Sequence, residues 1–102
     1  MGIVPWDSAS DGELSEAGLR RKLELRGYRV TTYVYPPGTY FSEHTHAVDK
    51  IDAVLAGGFR ITMNGSVYEL GPGDMIAVPR GVPHSAEVIG AQSVTSLDAI
   101  RA

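Results

Sequence analysis

Apolar positions along most of the chain come in short runs rather than long helical stripes. From Tyr28 onward, segments rich in Val, Ile, Thr and Tyr are interrupted by Gly, Pro and Asn every 8 to 12 residues or roughly so, the pattern of a sandwich or barrel. The pattern predicts strands over 29–35, 40–46, 51–56, 59–63, 66–70, 75–78, 84–88 and 93–98, enough for a closed antiparallel design. The breaks have local causes. Pro36-Pro37-Gly38 cannot continue a ladder, Asn64-Gly65 is a two-residue hairpin signal, and Gly71-Pro72-Gly73-Asp74 forms a turn. Pro79, Gly81 and Pro83 make a further break just before His84.

Only one segment reads as a helix. Ser15 is placed to cap it, Leu14 and Leu19 to staple its entry, and Gly27 to stop it. Leu19 and Leu23 lie four apart on one face, and Arg20, Arg21, Lys22, Glu24 and Arg26 cover most of the rest. Residues 1–12 read as an extended arm that docks through Ile3, Val4 and Trp6. The expected organisation is an arm and short helix over 1–27 and a β-barrel over 28–102, in one domain overall.

Composition narrows the chemistry. The chain of 102 residues has no cysteine, which excludes disulfides, thiolate zinc sites and iron–sulfur clusters. It has three histidines, and its net charge of -3 gives no reason to expect a nucleic-acid partner. The cluster Arg20-Arg21-Lys22 reads as a solvated helix face. No apolar run approaches the roughly 20 residues of a membrane-spanning helix, so no membrane partner is expected, and a cytoplasmic location is the default. No serine nucleophile elbow, phosphate loop or dinucleotide fingerprint is present.

His44 and His46, one residue apart in a strand-like run, share a face and make a ready pair of metal ligands. Gly38 precedes His44 with five residues between, and Gly57 follows. A second block runs Gly73, five residues, Pro79, one residue, Gly81, two residues, His84. With both blocks in this order, the sequence resembles the small single-domain members of the cupin superfamily, over about Tyr33 to Val88. The resemblance implies an all-β fold, a double-stranded β-helix or jelly-roll barrel with one short N-terminal helix added. It also implies that His44, His46 and His84 converge inside the barrel as metal ligands. In the family a glutamate usually supplies a fourth ligand at the position that here holds Lys50. A protonated lysine cannot ligate a metal. Three readings stay open: a three-histidine site with positions free for water or substrate, a site assisted by Asp52, which shares the strand parity of Lys50, or a metal-free cavity.

Three neutral imidazoles suit Fe, Mn, Ni, Zn or Cu, and without thiolates softness cannot choose among these divalent metals. An open three-histidine site is the catalytic rather than the structural arrangement. The expected function is binding or transforming a small polar molecule, as a dioxygenase, isomerase or lyase if an enzyme. The alternative is a metal-free ligand-binding or sensor cupin in which Lys50 replaces the usual glutamate. Lys50, Asp52 and Tyr40 are candidate substrate-contacting or supporting residues, and Val54, Met63 and Ile76 candidates to shape the pocket. Arg60 and Arg80 read as surface-paired rather than as carboxylate clamps. By resemblance a homodimer is expected, with Ile3, Val4 and Trp6 at its interface.

Overall fold

The computed structural model describes residues 2–101, so the end residues of the expected 1–27 and 28–102 segments lie outside it. Eight strands follow two helices: α1 (Ser8–Asp11), α2 (Glu16–Glu24), β1 (Arg29–Tyr35), β2 (Tyr40–His44), β3 (Asp49–Ala56), β4 (Gly58–Met63), β5 (Ser66–Leu70), β6 (Met75–Val78), β7 (His84–Ile89) and β8 (Val94–Arg101). They form two four-stranded antiparallel sheets, ordered β1-β8-β3-β6 and β2-β7-β4-β5. This is the jelly-roll arrangement of an all-β chain.

The inner faces of the two sheets meet in one apolar cluster, with Val54, Ile76, Val78 and Val94 from the first and Phe59, Ile61, Met63, Leu70 and Val88 from the second. The first sheet is covered on its other face as well. There Leu19 and Leu23 of α2, both fully buried, pack on Ile51, Ala53, Leu97 and Ala99. Burying such a leucine contributes about 1.5–3 kcal/mol. Consequently β3 and β8 are buried on both faces, and their alternation has meaning: Ile51, Ala53, Leu97 and Ala99 face the helix. Lys50, Asp52, Val54, Val94, Ser96 and Asp98 have the opposite parity and turn toward the barrel interior.

α2 starts where expected, with the Ser15 hydroxyl accepting from the Gly18 N–H at 3.0 Å. Arg20 is more than a solvated charge: its guanidinium donates to the Val30 carbonyl and the Thr32 hydroxyl, tying α2 to β1. Lys22 pairs with Asp11 at 2.7 Å and lies over the Trp6 ring. The arm differs from an extended segment, because Asp7 caps the short turn α1 by accepting from Ala9 N–H. Val4 bridges to Met75 through both backbone groups. Trp6 donates to the Gly12 carbonyl at 2.8 Å and packs, partly buried, with Leu14 on the helix-side cluster. Among the described residues no helix is long and apolar enough to cross a membrane.

Candidate metal centre

His44 ends β2 and His84 begins β7, and the two are direct cross-strand partners in the antiparallel register. His46 departs from the expected strand. An irregularity between Phe41 and His44 ends β2 at His44, and His46 lies in the connection to β3. Its backbone is held there by the second sequence block, since Gly81 N–H donates to the His46 carbonyl at 2.9 Å. Gly81 takes φ +76°, a left-handed value that suits glycine, and Val82 N–H closes the turn onto the Pro79 carbonyl. This turn delivers His84 to the barrel mouth. Asp74, in the turn before β6, accepts from Gly71 N–H at 2.9 Å.

The three rings lie together, with centroids 4.7 Å apart for His44 and His46, 4.3 Å for His44 and His84, and 5.0 Å for His46 and His84. One nitrogen from each falls within 4.8 Å of the others, and no carboxylate joins this group among the described residues. Asp52 therefore does not complete the ligand set. The tautomers follow from the hydrogen bonds. Nδ1 of His44 lies 2.6 Å from the Ser42 carbonyl and Nδ1 of His84 lies 2.9 Å from the Val82 carbonyl. A carbonyl only accepts, so each Nδ1 carries the proton and each Nε2 keeps a free lone pair, the arrangement that orients metal-ligating imidazoles. Nε2 of His46 is buried without any partner. An unpaired buried polar atom costs about 1–3 kcal/mol, and a metal ion is the partner this donor set fits.

Electrostatics favour the ligating form. Burial first, then the nearby Lys50 charge, holds His46 below its ordinary 6.5. Burial likewise lowers His84, against the opposing pull of the Val82 carbonyl. Both are neutral at pH 7.

Lys50 is not a bare cation beside this cluster. Its Nζ lies 2.6 Å from Asp98 and 3.6 Å from Asp52, and its side chain is 11% exposed. Burial works against the ammonium, but the two carboxylates outweigh it and raise its pKa. Burial pushes Asp52 up to about 6, with Asp98 adding to this and Lys50 opposing it.

A cavity of about 330 Å³ opens beside the histidines. Lys50, Asp52, Ser96 and Asp98 form one wall, and Tyr35, Phe41, Phe59 and Ala86 form an apolar one. Tyr40 is not brought there: its side chain is 61% exposed on the other face of β2, and Tyr33 and Tyr35 of β1 line the cavity instead. Val54, Met63 and Ile76 sit deeper, in the inter-sheet core, and do not shape the pocket. Arg60 is paired with Glu69 and Glu87 away from the cavity, and Arg80, exposed, donates only its backbone N–H to Asp49. Asp98 is the residue that sequence reasoning missed. Its signal was the parity it shares with Val94 and Ser96, opposite to Leu97 and Ala99.

Comparisons with known proteins agree with this architecture. An acireductone dioxygenase from Gluconacetobacter diazotrophicus is 41% identical over 49 residues, 44% of this chain and 27% of that protein. The HTH-type transcriptional regulator PuuR of Escherichia coli is 34% identical over 79 residues, 72% of this chain and 43% of the regulator. The chain thus spans less than half the length of these curated relatives. Among solved structures, the DMSP lyase DddQ from Ruegeria pomeroyi superposes with a TM-score of 0.66 at 29% identity, covering 74% of this chain and 38% of the lyase. The cupin domain model matches residues 31–100. That span runs from β1 through the last histidine-bearing strand into β8, and the chain belongs to the cupin family.

Proposed function

We propose that this cupin holds one divalent transition metal on His44, His46 and His84, and that it binds or transforms a small polar molecule in the adjoining cavity. The buried, partnerless Nε2 of His46 carries this reading. The metal, one of Fe, Mn, Ni, Zn or Cu, would act as a Lewis acid on an oxygen of the bound molecule. The chain's own contribution is to orient the His44 and His84 imidazoles on backbone carbonyls, to hold His46 and His84 toward the neutral form, and to pair the Lys50 charge with Asp52 and Asp98. Relatives named as a dioxygenase and a lyase support turnover. The likeness to a transcriptional regulator supports a second reading, in which the cavity senses its ligand without converting it. The expected assembly is a homodimer through Ile3 and Val4, both exposed, and the partly buried Trp6, and light scattering tests it: a monomer mass at micromolar concentration contradicts it.

The metal reading is tested by thermal denaturation of stripped protein with each of the five metals. Excess metal at about a hundred times its Kd adds about 2.7 kcal/mol, which for a domain of this size raises Tm by about 10 °C or more. No rise with any of the five contradicts it. The increment has a pH signature. Because His46 and His84 take up protons only below their ordinary 6.5, it is level between pH 7 and 8 and shrinks as the pH falls beneath 6.5. The bare protein shows a mixed response. Its depressed histidines cost stability as the pH falls below 6.5, whereas Asp52, raised to about 6 from 3.8, restores some between those two values.

A further inference from the structure

The charge of the loaded cavity points to the kind of ligand it takes. Three neutral imidazoles offset none of a divalent cation's charge. Among the described residues the only charged side chains lining the cavity are Lys50, Asp52 and Asp98, and they pair with one another, with Nζ at 2.6 Å from Asp98 and 3.6 Å from Asp52. One ammonium against two carboxylates leaves that wall with a single negative charge, or none if Asp52 holds a proton. In either state a metal-loaded cavity stays positive. Uncompensated charge in a partly buried site is costly, and an anionic ligand removes the cost. The facing wall adds a shape requirement. The rings of Tyr35, Phe41 and Phe59 lie 5.0 to 6.3 Å apart, edge-on or stacked, and make an apolar surface suited to a flat body. At about 330 Å³ the space is at the small end for ligand pockets, which run to roughly 1,000 Å³.

We propose that the cavity selects a small monocarboxylate with a flat apolar body, the carboxylate set toward the histidines and the Lys50 wall and the body against Tyr35, Phe41 and Phe59, and that Lys50 determines this preference for an anion. Lys50 does so by cancelling a carboxylate. Without it, Asp52 and Asp98 would face the ligand with no cation between them, and the advantage of an anion would shrink. An ammonium has three donors; Asp98, at 2.6 Å, takes one, and Asp52, at 3.6 Å, stands beyond hydrogen-bond length, so the ammonium keeps a donor for the ligand. The proposal rests on the three-histidine metal reading.

Calorimetry on the Zn²⁺-loaded 102-residue chain, with zinc measured in each sample, tests it using three probes of one ring and different charge: benzoate, benzamide and benzylamine. Benzoate is expected to bind at least about tenfold tighter than benzamide, with benzylamine undetected. In Lys50→Met the ratio is expected to fall below about threefold with zinc content unchanged. Lys50→Arg, which retains the charge, is expected to keep the wild-type ratio. Zinc-loaded wild type that binds benzamide or benzylamine as tightly as benzoate overturns this proposal and leaves the metal reading standing. Where zinc is not retained the series is run with another of the five metals, and retention of none of them overturns both. A Lys50→Met protein that keeps the full preference overturns the role of Lys50, and the wild-type series decides the ligand class even if that variant does not fold.

Discussion

Replacing His46 by alanine is expected to abolish metal retention while leaving the metal-free protein as stable as the wild type or more so. The two effects have separate origins. His44 and His84 are cross-strand partners whose Nδ1 protons are anchored on the Ser42 and Val82 carbonyls, so they stay in place without His46. Two imidazoles in place of three lose a first-order bond to the metal. The loss in affinity should exceed the 100-fold, or thereabouts, that removal of a supporting hydrogen-bond partner can cost. The metal-dependent rise in Tm should vanish with it. In the bare protein, by contrast, the substitution removes a buried Nε2 that has no partner, relieving a cost of about 1–3 kcal/mol against some lost packing. Thr45→Ala is the control, because Thr45 lies between the two ligands but is exposed, and it should change neither quantity. A His46→Ala protein that still shows the full rise in Tm would place the metal elsewhere.

Gly57→Ala is expected to be the most destabilising single methyl addition in the glycine–proline framework around the site. Gly57 sits between β3 and β4 at φ +83°. A Cβ there would lie 2.5 Å from the Ser93 carbonyl oxygen and 2.9 Å from the Val94 Cα, backbone atoms of the residue just before β8 and of its first residue. The left-handed conformation costs a non-glycine residue about 1–2 kcal/mol. Forcing backbone apart in a packed interior adds about 1–3 kcal/mol. The total, about 2–5 kcal/mol, corresponds to a Tm lower by about 8 °C or more. Gly38 separates the two contributions. It has nearly the same φ, +82°, but open space where a Cβ would go. Gly38→Ala should therefore show only the conformational part, about 4–16 °C, and at every value a smaller loss than Gly57→Ala. Equal losses at the two positions would show that the close approach to β8 carries no energy.

Much of the fold was legible because its turns are chemically marked. The bounds of β1, β5 and β6 coincide with those expected from the sequence, where Gly27 and Pro36, the Asn64-Gly65 hairpin and Pro72-Gly73, and Asp74 and Pro79 delimit them. β8 was cut short at Asp98 because Ala99, Ile100 and Arg101 carry no alternation that favours a strand. Their register with β3 and β1 extends it to Arg101. α1 was invisible because four residues give no periodicity, and its cause is a cap at Asp7.

The candidate site was legible unevenly. The histidines converge as the two sequence blocks suggest, although not by simple alternation in one strand. His46 is placed by its tie to Gly81 instead. Lys50 and Asp52 were singled out by their position, but their partner Asp98 was not, because a strand buried on both faces hides which of its polar residues looks into the barrel. Tyr40 was expected near the site from its closeness in sequence to His44, and the pleat of β2 turns it outward.

The central claim, that His44, His46 and His84 hold one metal ion, is tested most directly by elemental analysis of the anaerobically purified protein before and after reconstitution. The account predicts close to one equivalent of a transition metal per chain, about the stoichiometry of a single three-ligand site. Less than about a tenth of an equivalent, unchanged by reconstitution, would contradict it.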